Sequence, residues 1–318
     1  MGTPDFAVES LKRLHEHYNI VAVVTAPDKP RGRGQEIAPT PVKQFAVENR
    51  LPVLQPSNLK SDDFIGALQL LKPDLAVVVA FRMLPETVWS LPHSGSINLH
   101  GSMLPQYRGA APINHAIING EATTGVTTFF LKQEIDTGDI IMSKEIIIEP
   151  DDNAGTLHDK LMNVGADVLL QTVDSIVKGV YSTNPQNILN VCNLKTAPKI
   201  NKEFCQIDWN QNGTIVHNFI RGLSPYPGAY TQAFINEKQT CLKIYNGYFE
   251  KNTDCSEAGT AIIENNRLKI AISDGWYFIT EIQQSGKKRM LIAEFLNGLS
   301  DQTTDNFSIV NLIQKNNL

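Results

Sequence analysis

Asn98 and His100 stand two residues apart in Ser96-Ile97-Asn98-Leu99-His100. The segment alternates polar and apolar side chains, the period of a β-strand. The amide and the imidazole therefore project from one face, while Ile97 and Leu99 enter the sheet interior. The residues that follow, Gly101-Ser102-Met103-Leu104-Pro105-Gln106-Tyr107-Arg108-Gly109, are punctuated by Gly and Pro and read as a loop. An amide donor beside an imidazole at a strand's carboxyl end sits where open α/β sheets hold their chemistry. The pair can stabilise a developing oxygen charge and move a proton near neutral pH. A lone histidine at a strand end is more often a satisfied surface residue. A second stretch, Gln133-Glu134-Ile135-Asp136-Thr137-Gly138, is a turn between the apolar runs 126–131 and 140–148.

Together these stretches resemble the formyltransferase family that uses 10-formyltetrahydrofolate. That family carries an Asn and a His two apart, ahead of a Ser-Leu-Leu-Pro-like loop, and an Asp in a later Leu-Asp-Thr-Gly-like turn. Here Asn98, His100, Ser102-Met103-Leu104-Pro105 and Ile135-Asp136-Thr137-Gly138 match, with Met103 and Ile135 as conservative apolar swaps. The resemblance implies a catalytic trio in which an amine attacks a formyl carbonyl and a folate nitrogen leaves. Asn98 would donate to the oxyanion, His100 would donate to it or relay protons, and Asp136 would hold the imidazole. It also implies a folate site made by Ser102, Met103, Leu104 and Pro105 with the second loop Phe81-Arg82-Met83-Leu84. That second loop is a residue shorter than in the relatives and has Arg82 in place of Gly.

The start of the chain, Met1-Gly2-Thr3-Pro4-Asp5-Phe6-Ala7, reads as a turn feeding a helix with Phe6, Leu11 and Leu14 at helical spacing. This turn is similar to one in the branch of the family that acts on methionyl-tRNA. There it follows a first parallel strand, so the natural start is expected upstream of Met1. By the same resemblance Phe6 lines a methionine pocket, and initiator methionyl-tRNA is the expected partner. The basic stretch Lys29-Pro30-Arg31-Gly32-Arg33 falls on the branch's tRNA-binding insertion, with Arg33 on its key arginine and Lys29 and Arg31 adding charge. Guanidinium groups suit phosphates and unpaired bases. Lys199 and Lys202 match a linker that approaches tRNA, and Lys287 and Lys288, in a hairpin-like turn, are further phosphate candidates.

The elements that must position these groups follow from hydrophobic patterning. The β-branched runs 20–25 and 74–80 suit strands buried on both faces of a parallel sheet. Helical spacing in 41–49, 62–71 and 157–177 alternates with them, which predicts an α/β, doubly wound and mostly parallel sheet. In the last helix Leu157, Leu161, Val164, Val168, Leu169, Val173, Ile176 and Val177 form the expected apolar stripe. Residues 181–203 have low periodicity and read as a linker between a catalytic domain, 1–180, and a second domain, 204–318. In that second domain a helix over 212–221, with Gly222 as its C-cap, precedes short strands at 242–245, 261–263, 268–272 and 276–282. This pattern predicts a small β-barrel of OB-like type that supports the tRNA.

Composition bounds the rest. With 42% hydrophobic and 19% charged residues the chain is globular and long enough for two domains. No apolar run reaches a membrane span, and four cysteines without C-x-x-C spacing suit reduced thiols in the cytoplasm. Basic and acidic side chains balance over 199–318, so the whole formal charge of −5 lies in residues 1–198. The histidines form no ligand-like cluster, so no metal is expected, nor a membrane partner; a monomer is expected. Three readings remain: formyl transfer to methionyl-tRNA; the same chemistry on a sugar-nucleotide amine or water; and a non-catalytic RNA-binding protein on the same scaffold.

Overall fold

The structure is a computed structural model that describes residues 1–31, 36–186, 193–252, 256–299 and 307–310. Two compact units emerge, one from residues 1–112, 123–147 and 158–198, the other from 113–122, 148–157 and 199–318. The second unit thus takes in two short pieces of the N-terminal half.

The first unit is the α/β part. Its strands are β1 (Val23–Val24), β2 (Lys29–Arg31), β3 (Glu36–Ala38), β4 (Val53–Leu54), β5 (Ala76–Val79), β6 (Ser96–His100), β7 (Arg108–Gly109), β8 (Thr123–Phe130), β9 (Ile140–Ile147) and β10 (Thr196–Ala197). Its helices are α1 (Phe6–His17), α2 (Pro41–Glu48), α3 (Asp62–Leu71), α4 (Glu86–Trp89) and, from residue 158 onward, the long helix over 154–177. The strand β1 pairs parallel with β4, and β5 with β6. Two antiparallel strands, β8 and β9, extend the sheet beyond β6 in the order β5-β6-β8-β9. Met1 and Gly2 lie between the two parallel pairs: Gly2 N donates to the Val24 carbonyl and Val79 N to the Met1 carbonyl.

Local chemistry explains these elements. Thr40 caps α2 by accepting from Lys43 N at 3.0 Å, and Pro41 occupies the first turn, where no N–H is missed. Helix 154–177 buries Leu161, Val168, Leu169 and Val173, each worth about 1.5–3 kcal/mol on removal from water. Val177, expected on that stripe, is exposed at the helix end, where no packing surface remains to cover it. The basic stretch begins in the antiparallel hairpin β2–β3, in which Arg31 is the backbone partner of Glu36. The expected linker also carries a strand: β10 pairs parallel with β7.

The second unit contains α5 (Pro112–Ile118, from Ile113 onward), the start of α6 (Ala154–Val177), α7 (Gly213–Leu223) and α8 (Ile292–Asn297). Its sheet uses β11 (Ala229–Ile235), β12 (Lys238–Lys251), β13 (Ala261–Glu264), β14 (Arg267–Ile272), β15 (Gly275–Gln284), β16 (Met290–Leu291) and β17 (Phe307–Val310). The order is β13-β14-β15-β12-β11-β17, all antiparallel, with β16 on β15. The edge strands β13 and β17 approach each other, so the sheet curls into a nearly closed barrel. Trp209, Tyr277, Ile220, Leu223, Leu242 and Ile282 fill its core.

Gly222 is not the expected cap. It lies inside α7, which runs one residue further before Ser224 turns extended. A Cβ at Gly222 would stand 2.6 Å from Ile118 Cγ1 and 3.0 Å from Ile118 N, so the glycine exists for the close approach of α5. Asn114 Nδ2 donates to the Gly222 carbonyl at 2.8 Å across the same contact. An exposed helical Gly→Ala change gains about 1 kcal/mol. Here overpacking at about 1–3 kcal/mol outweighs that gain, so Gly222→Ala lowers the melting temperature in a thermal unfolding scan.

Candidate active site

The strand β6 runs between β5 and β8, with Asn98 opposite Val78 and Phe129 and His100 opposite Thr127. Ile97 and Leu99 are buried, which locks the register; a slip of one residue would turn Asn98 and His100 into the core. The carboxyl end of β6 therefore delivers both groups to one face, as the alternation requires.

His100 is 6% exposed, and its Nε2 lies 2.9 Å from the carbonyl oxygen of Tyr107. A carbonyl can only accept, so Nε2 carries the proton in this contact and Nδ1 is the nitrogen left for chemistry. Nδ1 faces Asp136 Oδ2 at 3.8 Å, beyond hydrogen-bond length but within ion-pair range of a protonated ring. The same Asp136 oxygen accepts from Gly109 N at 2.9 Å. Asp136 sits at φ 54°, a left-handed conformation that costs a non-glycine residue about 1–3 kcal/mol and persists only where neighbours hold it. Asn98 is half-buried, and its amide makes no hydrogen bond among the described residues. The trio expected from the sequence is thus brought together, with the Asn98 amide and the His100 imidazole on one face of the strand and Asp136 Oδ2 3.8 Å from His100 Nδ1.

The two loops expected to hold folate follow β5 and β6, parallel neighbours, and so leave the sheet at the same end. In the first, Phe81 is half-buried, Leu84 buried and Met83 exposed. Arg82 turns away to donate to the carbonyls of Pro56 and Ser57, its guanidinium 5.7 Å from the Phe81 ring centroid. In the second, Ser102 and Leu104 are buried, and Met103 and Pro105 half-buried. Thr127, a residue no motif singled out, braces this loop: its Oγ1 donates to the Ser102 carbonyl at 2.7 Å and accepts from Leu104 N at 3.2 Å. Phe6 is buried at the start of α1, its ring edge-on to His158 with centroids 5.3 Å apart.

The basic candidates are spread more widely. Lys29 is exposed at the base of the β2–β3 hairpin, Arg31 lies in β2, and Arg33 lies outside the described residues. Lys199, Lys202, Lys287 and Lys288 are exposed on the second unit. Asp28 anchors the hairpin by accepting from Lys43 Nζ and from Gln55 Nε2. Sequence reasoning missed four further participants: Tyr107, Gly109, Arg108 and Gln186. None belongs to a periodic pattern, and each acts through a long-range hydrogen bond that only the fold creates.

The chain belongs to the formyl transferase family: the formyl transferase family matches over residues 2–173, and the formyl transferase C-terminal domain over residues 199–300. Its relatives include the methionyl-tRNA formyltransferase of Flavobacterium johnsoniae, 48% identical over 94% of this chain and 95% of that one. The methionyl-tRNA formyltransferase of Bacteroides fragilis is 49% identical over 94% and 93%. The resemblance read from the motifs is therefore borne out over nearly the full length. Among solved structures, a sugar 3N-formyltransferase crystallised with dTDP and 5-N-formyl-THF superimposes with a TM-score of 0.63 at 20% identity, covering 90% of this chain and 97% of that one. That likeness concerns the fold.

Hydrogen bonds from Lys43 first, then from Gln55, hold the Asp28 carboxyl below the ordinary carboxylate value. A depressed carboxylate stabilises the fold above its unfolded pKa of about 4, and that contribution disappears as pH falls through the folded value. Asp28→Asn therefore lowers the melting temperature at pH 7, and its difference from the wild type shrinks as pH falls below the ordinary carboxylate value of about 4 and through the lower folded value. Melting curves across that range check it.

Proposed function

We propose that this protein moves the formyl group of 10-formyltetrahydrofolate to the α-amino group of methionine on initiator tRNA, for translation initiation. The observation that carries the proposal is 48–49% identity to methionyl-tRNA formyltransferases over 94% of the chain, together with the convergence of Asn98, His100 and Asp136. It acts in the cytoplasm, a reading supported by cysteines without C-x-x-C spacing, and as a monomer; among the described residues no helix is long and apolar enough to cross a membrane.

The amine nitrogen attacks the formyl carbon, and the carbonyl electrons move onto oxygen. The Asn98 amide donates to that oxygen as its charge grows, which lowers the barrier because the bond is stronger in the transition state than before it. His100 Nδ1 accepts the proton released by the amine, and Asp136 at 3.8 Å stabilises the resulting imidazolium. Collapse of the tetrahedral species breaks the bond to folate N10, which takes the proton back from His100. The half-buried Phe81 and buried Leu84 and Leu104 offer apolar walls for the pterin, with Ser102, Met103, Met83 and Pro105 framing it and Arg82 bracing the first loop through the Pro56 and Ser57 carbonyls. Phe6 lines the methionine pocket. Residues 1–180 perform the chemistry, 181–203 link, and 204–318 support the tRNA.

Arg33, Arg31 and Lys29 engage the acceptor end of the tRNA, and Lys199, Lys202, Lys287 and Lys288 add phosphate contacts, each a charge-charge term sensitive to salt. The sugar-amine reading has only fold-level likeness behind it, and the RNA-binding reading leaves an intact trio unexplained.

Formyl transfer from 10-formyltetrahydrofolate to charged initiator tRNA tests the proposal directly. Asn98→Ala is expected to lose about a hundred- to thousand-fold in kcat, and His100→Ala at least as much. If purified wild type leaves methionyl-tRNA unformylated while still releasing formate or formylating a sugar-nucleotide amine, the proposed acceptor is wrong. In the same assay Arg33→Ala raises the KM for tRNA and leaves the KM for folate unchanged; equal loss on both substrates would remove Arg33 from tRNA recognition.

A further inference from the structure

The segment that leads away from the catalytic unit returns one side chain to the catalytic turn. Asn184 pairs with Ile140 through two backbone bonds, of 2.9 and 2.8 Å, which sets the next residues beside the turn that carries Asp136. Gln186 Nε2 donates to the carbonyl of Asp136 at 2.9 Å and to that of Gly138 at 2.8 Å. Its Oε1 accepts from Arg108 Nε at 3.0 Å and Nη2 at 2.6 Å. The orientation of this amide is fixed by its partners, since two carbonyls can only accept and a guanidinium can only donate. The arginine's charge polarises the amide and strengthens both bonds to the turn.

Arg108 occupies a telling position. The residue before it, Tyr107, supplies the carbonyl that orients His100, and the residue after it, Gly109, supplies the N–H that holds the Asp136 carboxylate. The same short segment is held from outside by the linker: Tyr107 N donates to the Lys195 carbonyl and Ala110 N to the Ala197 carbonyl, both at 2.7 Å. A Cβ at Gly109 would lie 2.4 Å from that Ala197 oxygen, and φ there is +127°, so only glycine lets the linker approach so closely. Gln186 thus ties the loop that orients the imidazole to the turn that presents the carboxylate.

We propose that Gln186 is a positioning residue for formyl transfer, setting the separation of Asp136 from His100 by clamping the Asp136 turn to Arg108. The proposal rests on the reading of Asn98, His100 and Asp136 as the reacting trio. It makes part of the linker, residues 184–186, a component of the catalytic unit and gives a defined job to a half-buried glutamine outside every motif.

Two substitutions separate the two ends of the clamp. Gln186→Glu keeps an acceptor for Arg108 but turns a carboxylate oxygen toward the Asp136 and Gly138 carbonyls, whereas Gln186→Met removes both ends. In the full chain, amide hydrogen exchange is followed at Gly109, whose N–H is protected by Asp136 Oδ2, and at Ala110, whose N–H is protected by Ala197. Both variants are expected to lose protection at Gly109 while Ala110 stays protected. Displacing a catalytic group by an ångström costs about a hundredfold. We therefore expect kcat to fall about 10- to 100-fold, with the KM for folate within about twofold.

Added to Asp136→Ala, either substitution should change kcat by less than about twofold, because residues acting through one group do not lose independently. Wild-type protection at Gly109 in either folded variant overturns the proposal. So do losses that multiply with that of Asp136→Ala, the mark of a merely structural role. If the wild type proves inactive toward methionyl-tRNA, the proposed acceptor falls, but exchange at Gly109 still decides the role of Gln186.

Discussion

A backbone carbonyl has no proton to give, and the active site is arranged around that constraint. Because His100 Nε2 is committed to the Tyr107 oxygen at 2.9 Å, the ring cannot rotate to present either nitrogen at will. One tautomer is fixed, Nδ1 is the nitrogen left open, and the carboxylate that faces it lies on the Nδ1 side. Asp136 does so from a left-handed backbone conformation, the kind of strain that survives only where several bonds hold it. The Gly109 amide holds its carboxylate, and the Gln186 amide holds its carbonyl.

Burial provides the rigidity. The strand β6 has neighbours on both edges, and Ile97 and Leu99 are almost wholly removed from water, so its register resists slipping. Thr127 on β8 then ties the loop after β6 back to the sheet through two backbone groups. A buried hydroxyl in this position does more than its own bonds suggest. Its loss would leave the Ser102 carbonyl and the Leu104 amide unpartnered in the interior, at about 1–3 kcal/mol each. The apolar core thus sets the strand, and polar bonds along its end set the site.

What could be read from the sequence divides along that same line. The period of two in residues 96–100 placed Asn98 and His100 on one face, and the motif-like turn Ile135-Asp136-Thr137-Gly138 pointed to Asp136. Both are local patterns, and both hold in the structure. The parallel strands at β1 and β5 were legible as continuous β-branched runs, and the barrel as short strands at even spacing. The antiparallel extension through β8 and β9 was not, because pairing direction is a long-range choice that the residues of one strand do not encode. Gly222 was misread for a related reason. A glycine near a helix end has a local explanation as a cap, but here its cause is the backbone of α5, more than a hundred residues earlier in the chain. Gln186 carried no signal at all, since a glutamine in an aperiodic segment looks the same whether it is solvated or clamped between a guanidinium and two carbonyls.

The placement of the linker changes how the two functions of the chain relate. A simple spacer would let acceptor handling and chemistry vary independently. Instead, Lys195 and Ala197 accept backbone bonds from the loop after β6, and Gln186 reaches the turn after β8. These contacts lie within the first unit, where the strand β10 pairs with β7. The basic β2–β3 hairpin is built differently: it is rooted through Asp28 on Lys43 and Gln55. The linker, by contrast, is bonded to the segment that orients His100 and Asp136, so its geometry and theirs are one structural unit.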